Sequence, residues 1–473
     1  MTASLDWSRW LGALVALFAI PVGVLAGIDP KLAILAALGL AYVVVAFSDL
    51  AAGLSIFTFL GFVEVVSVGG AAKVAGLLLA LSWFALIATR PRAEDHFLTI
   101  HPLMSAVIGL FIGWALLSST WAESPGDAVT SASRYALDAM LFLIIFTAIR
   151  SPKQLGWVLL AFTLGAAVAA AAGIASPPAT ADGRIGSYEL DPNQLGAVLV
   201  AGVPLTVALV ALYRETPLRL VGIATGLFAL VAIWLTASRG ALVATAVALI
   251  AAVVIGGRWR PAIFLAAIVV AFSTFTYYST FASSDTQQRV SAATQGESDL
   301  QEARVTLWQV AWRAFEENPV RGIGASNFQT SERHFINQPG FLARTDKVID
   351  QPSVVHNSWL EIATETGIIG LGLMATILLF SLRSMLRAAR LFGQLGERRM
   401  QAVALCVATA LIGYVAALTF ISGEYSKGLW VLLGLGPAIL AMAQNAETER
   451  AKAPGPAQAH TRGMSPTDLH RPA

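Results

Sequence analysis

The chain has 473 residues, 56% of them hydrophobic and 13% charged, with a net charge of +2 and a mean hydropathy of +0.69. That is too apolar for a soluble domain of this size and points to a polytopic membrane protein, with no basic excess of the kind that would recruit nucleic acid. The single cysteine, Cys406, lies inside an apolar run, which excludes an intrachain disulfide and a cysteine metal cluster.

In chain order, apolar runs of about 16–22 residues, the length a helix needs to cross a bilayer, recur almost end to end. They fall near 11–28, 32–47, 50–68, 74–88, 102–118, 135–149, 155–175, 195–212, 218–236, 241–255, 261–281, 368–386, 402–421 and 429–442. The expected fold is an all-α polytopic membrane protein of about 12–14 transmembrane helices, the lower counts arising if short early segments merge or re-enter around Glu64 and Lys73. Val24-Leu25-Ala26 has the form of a signal-peptidase site, but the long apolar stretch before it and the helix directly after favour an uncleaved anchor. With the N-terminus in the cytoplasm, Arg90, Arg92, Arg150, Lys153, Arg214, Arg219, Arg258, Arg260, Arg383, Arg387, Arg390, Arg398 and Arg399 all fall inside, as the positive-inside rule demands. The resulting division is 1–281, N-terminal transmembrane helices; 282–357, one large periplasmic loop; 358–443, C-terminal transmembrane helices; and 444–473, a cytoplasmic tail. The tail is rich in Pro, Ala and charge without apolar periodicity, and is expected to be disordered.

Long polar loops between spans usually carry function, and 282–355 is the only one here. Within it, 300–317 sets Leu307, Val310, Ala311, Ala314 and Phe315 at helical spacing, with Trp308 and Trp312 one turn apart, which suits a helix lying on the membrane surface. Arginines on this face run against the positive-inside bias. Arg184 sits in a polar connector, Arg239 in the tight hairpin Thr236-Ala237-Ser238-Arg239-Gly240, and Arg304 in the large loop. Each alone is ordinarily explained by snorkelling to headgroups or by helix capping, but an Arg held at the bilayer edge also suits an anionic ligand.

His356-Asn357 ends the loop. The segment after it reads as a short helix closed by Gly367, with His356 at the positive N-terminal end, where a neutral imidazole and a bound phosphate are both favoured. An imidazole satisfying backbone groups is the commoner explanation on a bare sequence. Asn357, Glu361 and Glu365 share one helix face at i, i+4 spacing, and a solvated polar face is expected slightly before a catalytic one. Arg134 with Asp138, and Glu424 with Lys427, read as neutralising pairs. The six histidines show no metal-ligand spacing, and neither an Asp-rich Mg²⁺ run nor a Walker motif is present, so no metal or other cofactor is expected and the substrate itself must supply the energy of any reaction.

Arg184 with Asp191-Pro192-Asn193, the hairpin 236–240, Arg304 to Trp308 leading to Gly322-Ile323-Gly324 and Asn327, and His356-Asn357 with Gly367-Ile368-Ile369-Gly370 form an ordered set. That set closely resembles the O-antigen ligase and O-antigen polymerase family, bacterial membrane glycosyltransferases with a multi-span, GT-C-like architecture. The resemblance covers roughly 181–370 in motif and nearly the whole chain in topology. It implies a glycan donor on undecaprenyl diphosphate, used without metal and with inversion at the periplasmic face of the inner membrane. In that setting Arg184, Arg239 and Arg304 would bind the diphosphate and His356 would take the acceptor proton. Asn193 and Asn357 would orient the imidazole or a sugar, with Asp191, Glu361 and Glu365 as further candidates and the two glutamates as fallback bases. The acceptor is the lipid A core for a ligase, or a second lipid-linked repeat for an O-antigen or exopolysaccharide polymerase. The nine-residue gap between His-Asn and Gly-x-x-Gly tips the pattern towards a ligase. The rival from another class is a lipid-glycan transporter, but transporters place ionisable groups near the midplane, often in two related halves, and here the notable charges cluster outside. A sugar-lipid binding protein without activity is a further alternative, which the intact His356 and arginine set disfavours.

Overall fold

Proline opens helix after helix in this chain, at the one position where its missing N–H costs nothing. The computed structural model describes residues 21–63, 70–89, 96–175, 184–186, 190–213, 217–284, 287, 299–340, 342 and 353–452. Its helices are α1 (Pro30–Ser48), α2 (Leu50–Val63), α3 (Ala71–Thr89), the short α4 (Phe97–Ile100), α5 (Pro102–Leu117), α6 (Pro125–Ala148), α7 (Pro152–Ala175) and α8 (Pro192–Leu212). There follow α9 (Pro217–Leu235), α10 (Arg239–Ile255), α11 (Arg260–Thr276), α12 (Asp299–Glu317), α13 (Phe328–Ile336), α14 (Ser358–Gln394), α15 (Arg398–Ala417) and α16 (Lys427–Lys452). First-turn prolines begin α1, α5, α6 and α8, and Asp29 and Asp191 cap the first and last of these by accepting two backbone N–H groups each.

The protein is an all-α polytopic membrane protein. Eleven helices among the described residues are long and apolar enough to cross a membrane, with Leu50–Val63 and Arg239–Ile255 as shorter apolar helices. The first expected span, 11–28, lies mostly outside the described residues, as does Glu64. The tail expected to begin at Gln444 is helical as far as Lys452, because α16 continues past its apolar stretch; the remainder lies outside the described residues.

Helices α8, α15 and α16 form the middle of the bundle. α8 packs most extensively on α15 and also on α7 and α9, and α16 packs on α14 and α6. Trp430, Tyr135, Phe142 and Phe162 are fully buried there. α1 and α11, by contrast, present exposed Leu, Ile, Val and Phe along their length, the surface expected of lipid-facing helices.

The loop is a small folded body with its own core. Leu307, Val310, Ala311 and Ala314 of α12 bury against Phe328, Phe335 and Ile336 of α13 and Val355. The apolar stripe of α12 therefore faces protein, in place of the membrane surface expected from the sequence, because α13 and the start of α14 supply it with partners. Phe315 lies on the same helix, while Trp312 stays exposed and bonds Glu316.

This body is fastened to the bundle at a break in α14. Gly367 has φ +67 and interrupts the helix, closing its first turns as the sequence suggests. Across the break, Ile323 N donates to Thr364 O (3.0 Å), Gly324 N to Glu365 O (2.9 Å) and Ile368 N to Pro319 O (2.9 Å). Trp114 donates to Thr366 O at 2.8 Å and Trp121 to Gly322 O at 3.2 Å. A Cβ on Gly367 would lie 2.1 Å from Val320 O. Gly367→Ala is therefore expected to cost about 1–3 kcal/mol through positive-φ strain and this clash. The effect should appear as a lower melting temperature in detergent. Gly372→Ala, in open space on the same helix, should melt like the wild type, and equal melting of the two variants would refute the account.

Candidate active site

Three connectors meet on the loop side of the bundle. Arg184 donates through Nε to Thr236 O (2.9 Å) and through Nη2 to Asn193 Oδ1 (3.0 Å). The same Asn193 oxygen accepts from Ser238 Oγ at 2.8 Å. One amide oxygen thus ties the Arg184 segment, the start of α8 and the hairpin into a unit. The hairpin turns through Ala237, whose φ is +46, and Ser238 then caps α10 by accepting Ala241 N at 3.2 Å. Arg239 follows at once as the first residue of α10, half-buried. Gly240 lets Phe420, from the turn after α15, close over this hairpin.

Arg304, on α12, comes from the loop body and is half-buried. Burial pulls its guanidinium below the ordinary arginine value; the charge of Asp191 opposes this and that of Arg239 adds to it. Arg304 therefore lies within electrostatic range of both residues. His356 lies in the same group. Burial lowers its imidazole below the ordinary value, Arg304 lowers it further, and Asp191 pushes it back up. The imidazole is consequently neutral near pH 7 and able to accept a proton.

His356 also adopts a left-handed backbone, φ +55. Its N–H donates to Ser422 Oγ at 3.0 Å, and the Ser422 hydroxyl donates to Glu361. Trp308 of α12 donates to Val355 O at 3.1 Å, fixing the residue just before His356 against the helix that carries Arg304. The structure thus brings Asp191, Arg239, Arg304 and His356 into one electrostatic group, and binds Arg184 and Asn193 to the hairpin that bears Arg239.

The remaining sequence candidates turn inward. Asn357 is the N-cap of α14, its oxygen accepting Trp359 N (3.1 Å) and Leu360 N (3.2 Å). Glu361 and Glu365 are buried, so the solvated polar face expected of them does not form. Glu365 instead accepts backbone N–H groups from Ser326 (2.7 Å) and Phe328 (3.3 Å) at the start of α13. Their spacing correctly shows a shared side of the helix, but not that the loop body and the 418–426 turn would cover it.

That turn is the part of the site that sequence reasoning missed. Ser358 N donates to Leu418 O and Ile421 O, its hydroxyl donates to Ile421 O, and Gly423 N donates to that hydroxyl. Glu424 is buried, with Oε2 lacking a partner among the described residues, and burial holds its carboxyl above the usual range. Asp138 senses both Lys427 and Arg134, while Glu424 senses Arg134. The expected pairing of Arg134 with Asp138 is thus present, and Glu424 and Lys427 join it crosswise in one group. A short loop with one acid and one base gave no signal of this in the sequence.

Among the described residues, no group of three or more His, Cys, Asp or Glu is arranged to hold a metal ion. The cluster offers instead several guanidinium groups, a neutral imidazole and one exposed carboxylate. Such a set can bind a polyanion and accept a proton from a neighbouring hydroxyl. Removing the Ser422 hydroxyl leaves the His356 N–H and the Glu361 carboxyl without this partner. Ser422→Ala should therefore lower stability by about 1–3 kcal/mol. Ser133→Ala, exposed on α6, should not, and thermal melting of the two variants side by side checks this.

Residues 224–375 match the family model described as O-antigen ligase. The matched stretch contains the 236–240 hairpin, Arg304, His356 and Gly367, whereas Arg184, Asp191 and Asn193 precede it. No curated protein matches the chain. Over these residues the chain, a multi-pass membrane protein, is therefore similar to O-antigen ligase, in line with the resemblance read from its motifs.

Proposed function

We propose that the protein is an inverting membrane glycosyltransferase of the O-antigen ligase type. It moves a glycan from undecaprenyl diphosphate to the lipid A core, at the periplasmic face of the bacterial inner membrane and without a metal. The observation that carries this reading is the electrostatic group formed by His356, Arg304, Arg239 and Asp191, adjoining the hairpin held by Arg184.

The acceptor hydroxyl oxygen attacks the anomeric carbon from the face opposite the diphosphate. As that C–O bond forms, the bond to the diphosphate breaks, and its electron pair leaves with the phosphate oxygen. His356 takes the hydroxyl proton. Arg184, Arg239 and Arg304 stabilise the charge growing on the leaving group, a task for preorganised cations in a water-poor site. The assignment of His356 as base is favoured over Glu361 and Glu365, because those carboxylates are buried and engaged by Ser422 and by the start of α13. Asn193 serves by holding the Arg184 fork and the hairpin together, and Asn357 by starting the helix behind His356.

The test is glycan transfer by the purified protein in nanodiscs, with a polyprenyl-diphosphate glycan and either lipid A core or a second lipid-linked repeat as acceptor. Transfer to the core that survives chelator is expected, and His356→Ala should retain donor binding while losing ~10²–10⁴ in rate, the usual worth of a positioned general base. Product made only from two lipid-linked repeats would replace the ligase reading with a polymerase. Full activity in His356→Ala, or loss with chelator, would overturn the mechanism.

The pH profile gives a second check. A base whose pKa is lowered stays neutral down to that value, so the rate should hold through pH ~6.5 and fall only at more acid pH. Asp191→Asn keeps a helix-capping side chain but removes the charge that raises the His356 pKa, so its acid limb should move to lower pH. A limb that stays fixed, or moves up, would contradict the electrostatic grouping.

A further inference from the structure

Helix α11 stands away from the bundle. None of its residues is buried, and it packs chiefly on α10. It is nonetheless fixed at both ends. At one end Arg260 donates to Val253 O (3.1 Å) and Val254 O (2.6 Å) of α10. At the other, Trp234 of α9 donates through Nε1 to Thr274 Oγ1 at 3.0 Å and stacks on Tyr277, with centroids 5.5 Å apart and planes at 20°. Tyr278 donates to Trp234 O at 3.1 Å from a π-helical turn, Tyr277–Phe281, a local widening often found at functional sites.

Between these two fastenings α9, α10 and α11 enclose a cleft of about 880 Å³. Its walls are mostly apolar, from Leu230, Ile233, Leu242, Leu249, Val270 and Phe275, and hydroxyl and amide groups gather at the loop end. The cleft ends beside the hairpin of the candidate active site. Tyr278 lines it and senses the charge of Arg184, which is bonded to Thr236 just beyond Trp234. Leu242 lies one helical turn below Arg239.

We propose that this cleft receives the first isoprene units of the donor's polyprenyl chain, an inference that rests on the proposed function. The chain is covalently joined to the diphosphate, so a diphosphate gripped by Arg184 and Arg239 must send its hydrocarbon away beside the hairpin, where the cleft begins. Moving a chain from bilayer to cleft gains little hydrophobic energy, since lipid is equally apolar. What the cleft supplies is shape and direction: a branched, unsaturated chain held between two helices fixes how the diphosphate enters the site.

The experiment uses the full chain in nanodiscs with a polyprenyl diphosphate carrying a photoreactive diazirine in its second isoprene unit, followed by mass-spectrometric mapping. Label is expected on the facing sides of α9, α10 and α11, displaced by excess polyprenyl phosphate but not by excess phospholipid. Ala246→Trp and Ala271→Trp each place an indole in the cleft from a different wall. Each should cut labelling about tenfold, equivalent to ~1.4 kcal/mol. Each should also raise KM for the polyprenyl donor, and Val243→Trp, exposed on another side of α10, should do neither. If one variant fails to fold, the other and the label map still decide. Label on other helices, or displacement by phospholipid, overturns the cleft. Glycan transfer with label elsewhere means that the reaction stands and the cleft does not; cleft labelling without glycan transfer means the reverse.

Discussion

The structure depends on one break in a helix. A transmembrane helix that stops frees backbone groups which the membrane cannot satisfy, so a break survives only where protein re-pairs them. At Gly367 the pairing comes from the 319–324 turn, two tryptophans of the α5 end, and the Glu365 carboxylate reaching back to Ser326 and Phe328. All of these bonds except that of Trp114, which links α5 to α14, join the loop body to the bundle. The position of the loop is therefore fixed by the same interactions that make the break tolerable. His356, eleven residues before Gly367, and Arg304, on the helix whose Ala311 carbonyl accepts Thr364 Oγ1 at 3.0 Å, sit on either side of that joint.

The electrostatics of the site follow from this placement. Arg239 is rooted in the bundle, Arg304 in the loop body, and each makes the other's charge harder to carry. Asp191 offsets part of the repulsion, but it is a single carboxylate and is already occupied in capping α8 through Asn193 N and Gln194 N. The site is thus left with an excess of positive potential and a neutral imidazole beside it. Neutrality at His356 follows first from burial, and the charge of Arg304 reinforces it, since a proton there would add to the repulsion. The arrangement favours negative charge on a bound anion over positive charge on the imidazole, which the proposed transfer from a diphosphate would use.

Much of the fold was legible because membrane helices obey a simple length rule, and the observed α5, α7, α8, α9 and α10 fall within a few residues of their apolar runs. Gly367 was legible too, since a glycine closing a short helical segment signals a left-handed residue. Where the reading failed, the local pattern was sound and the partner was invisible. The stripe on α12 has the same spacing whether it meets lipid or Phe328, Phe335 and Ile336. The i, i+4 register of Glu361 and Glu365 sets a common side of α14 but not what covers it. The 418–426 turn carries Ser422 and Phe420 into the site from about 65 residues downstream of His356, a separation at which residue patterns hold no information about contact.

The connection between the two bodies also explains why the arginines are distributed as they are. An anion binding only to Arg184 and Arg239 would touch the bundle alone and leave the position of the loop unaffected. Because Arg304 lies within range of Arg239, an anion seated between them would replace a repulsion with two attractions, one to each body. That gain would act on α12, to which Val355, the residue next to His356, is tied through Trp308. Arg304 and the residue beside the His356 imidazole are therefore joined through one helix. A ligand can shift such an arrangement only by as much as its affinity differs between the loose and tight forms. Under the proposed function, a doubly charged diphosphate would meet that requirement better than a singly charged headgroup, because it can engage cations of both bodies at once.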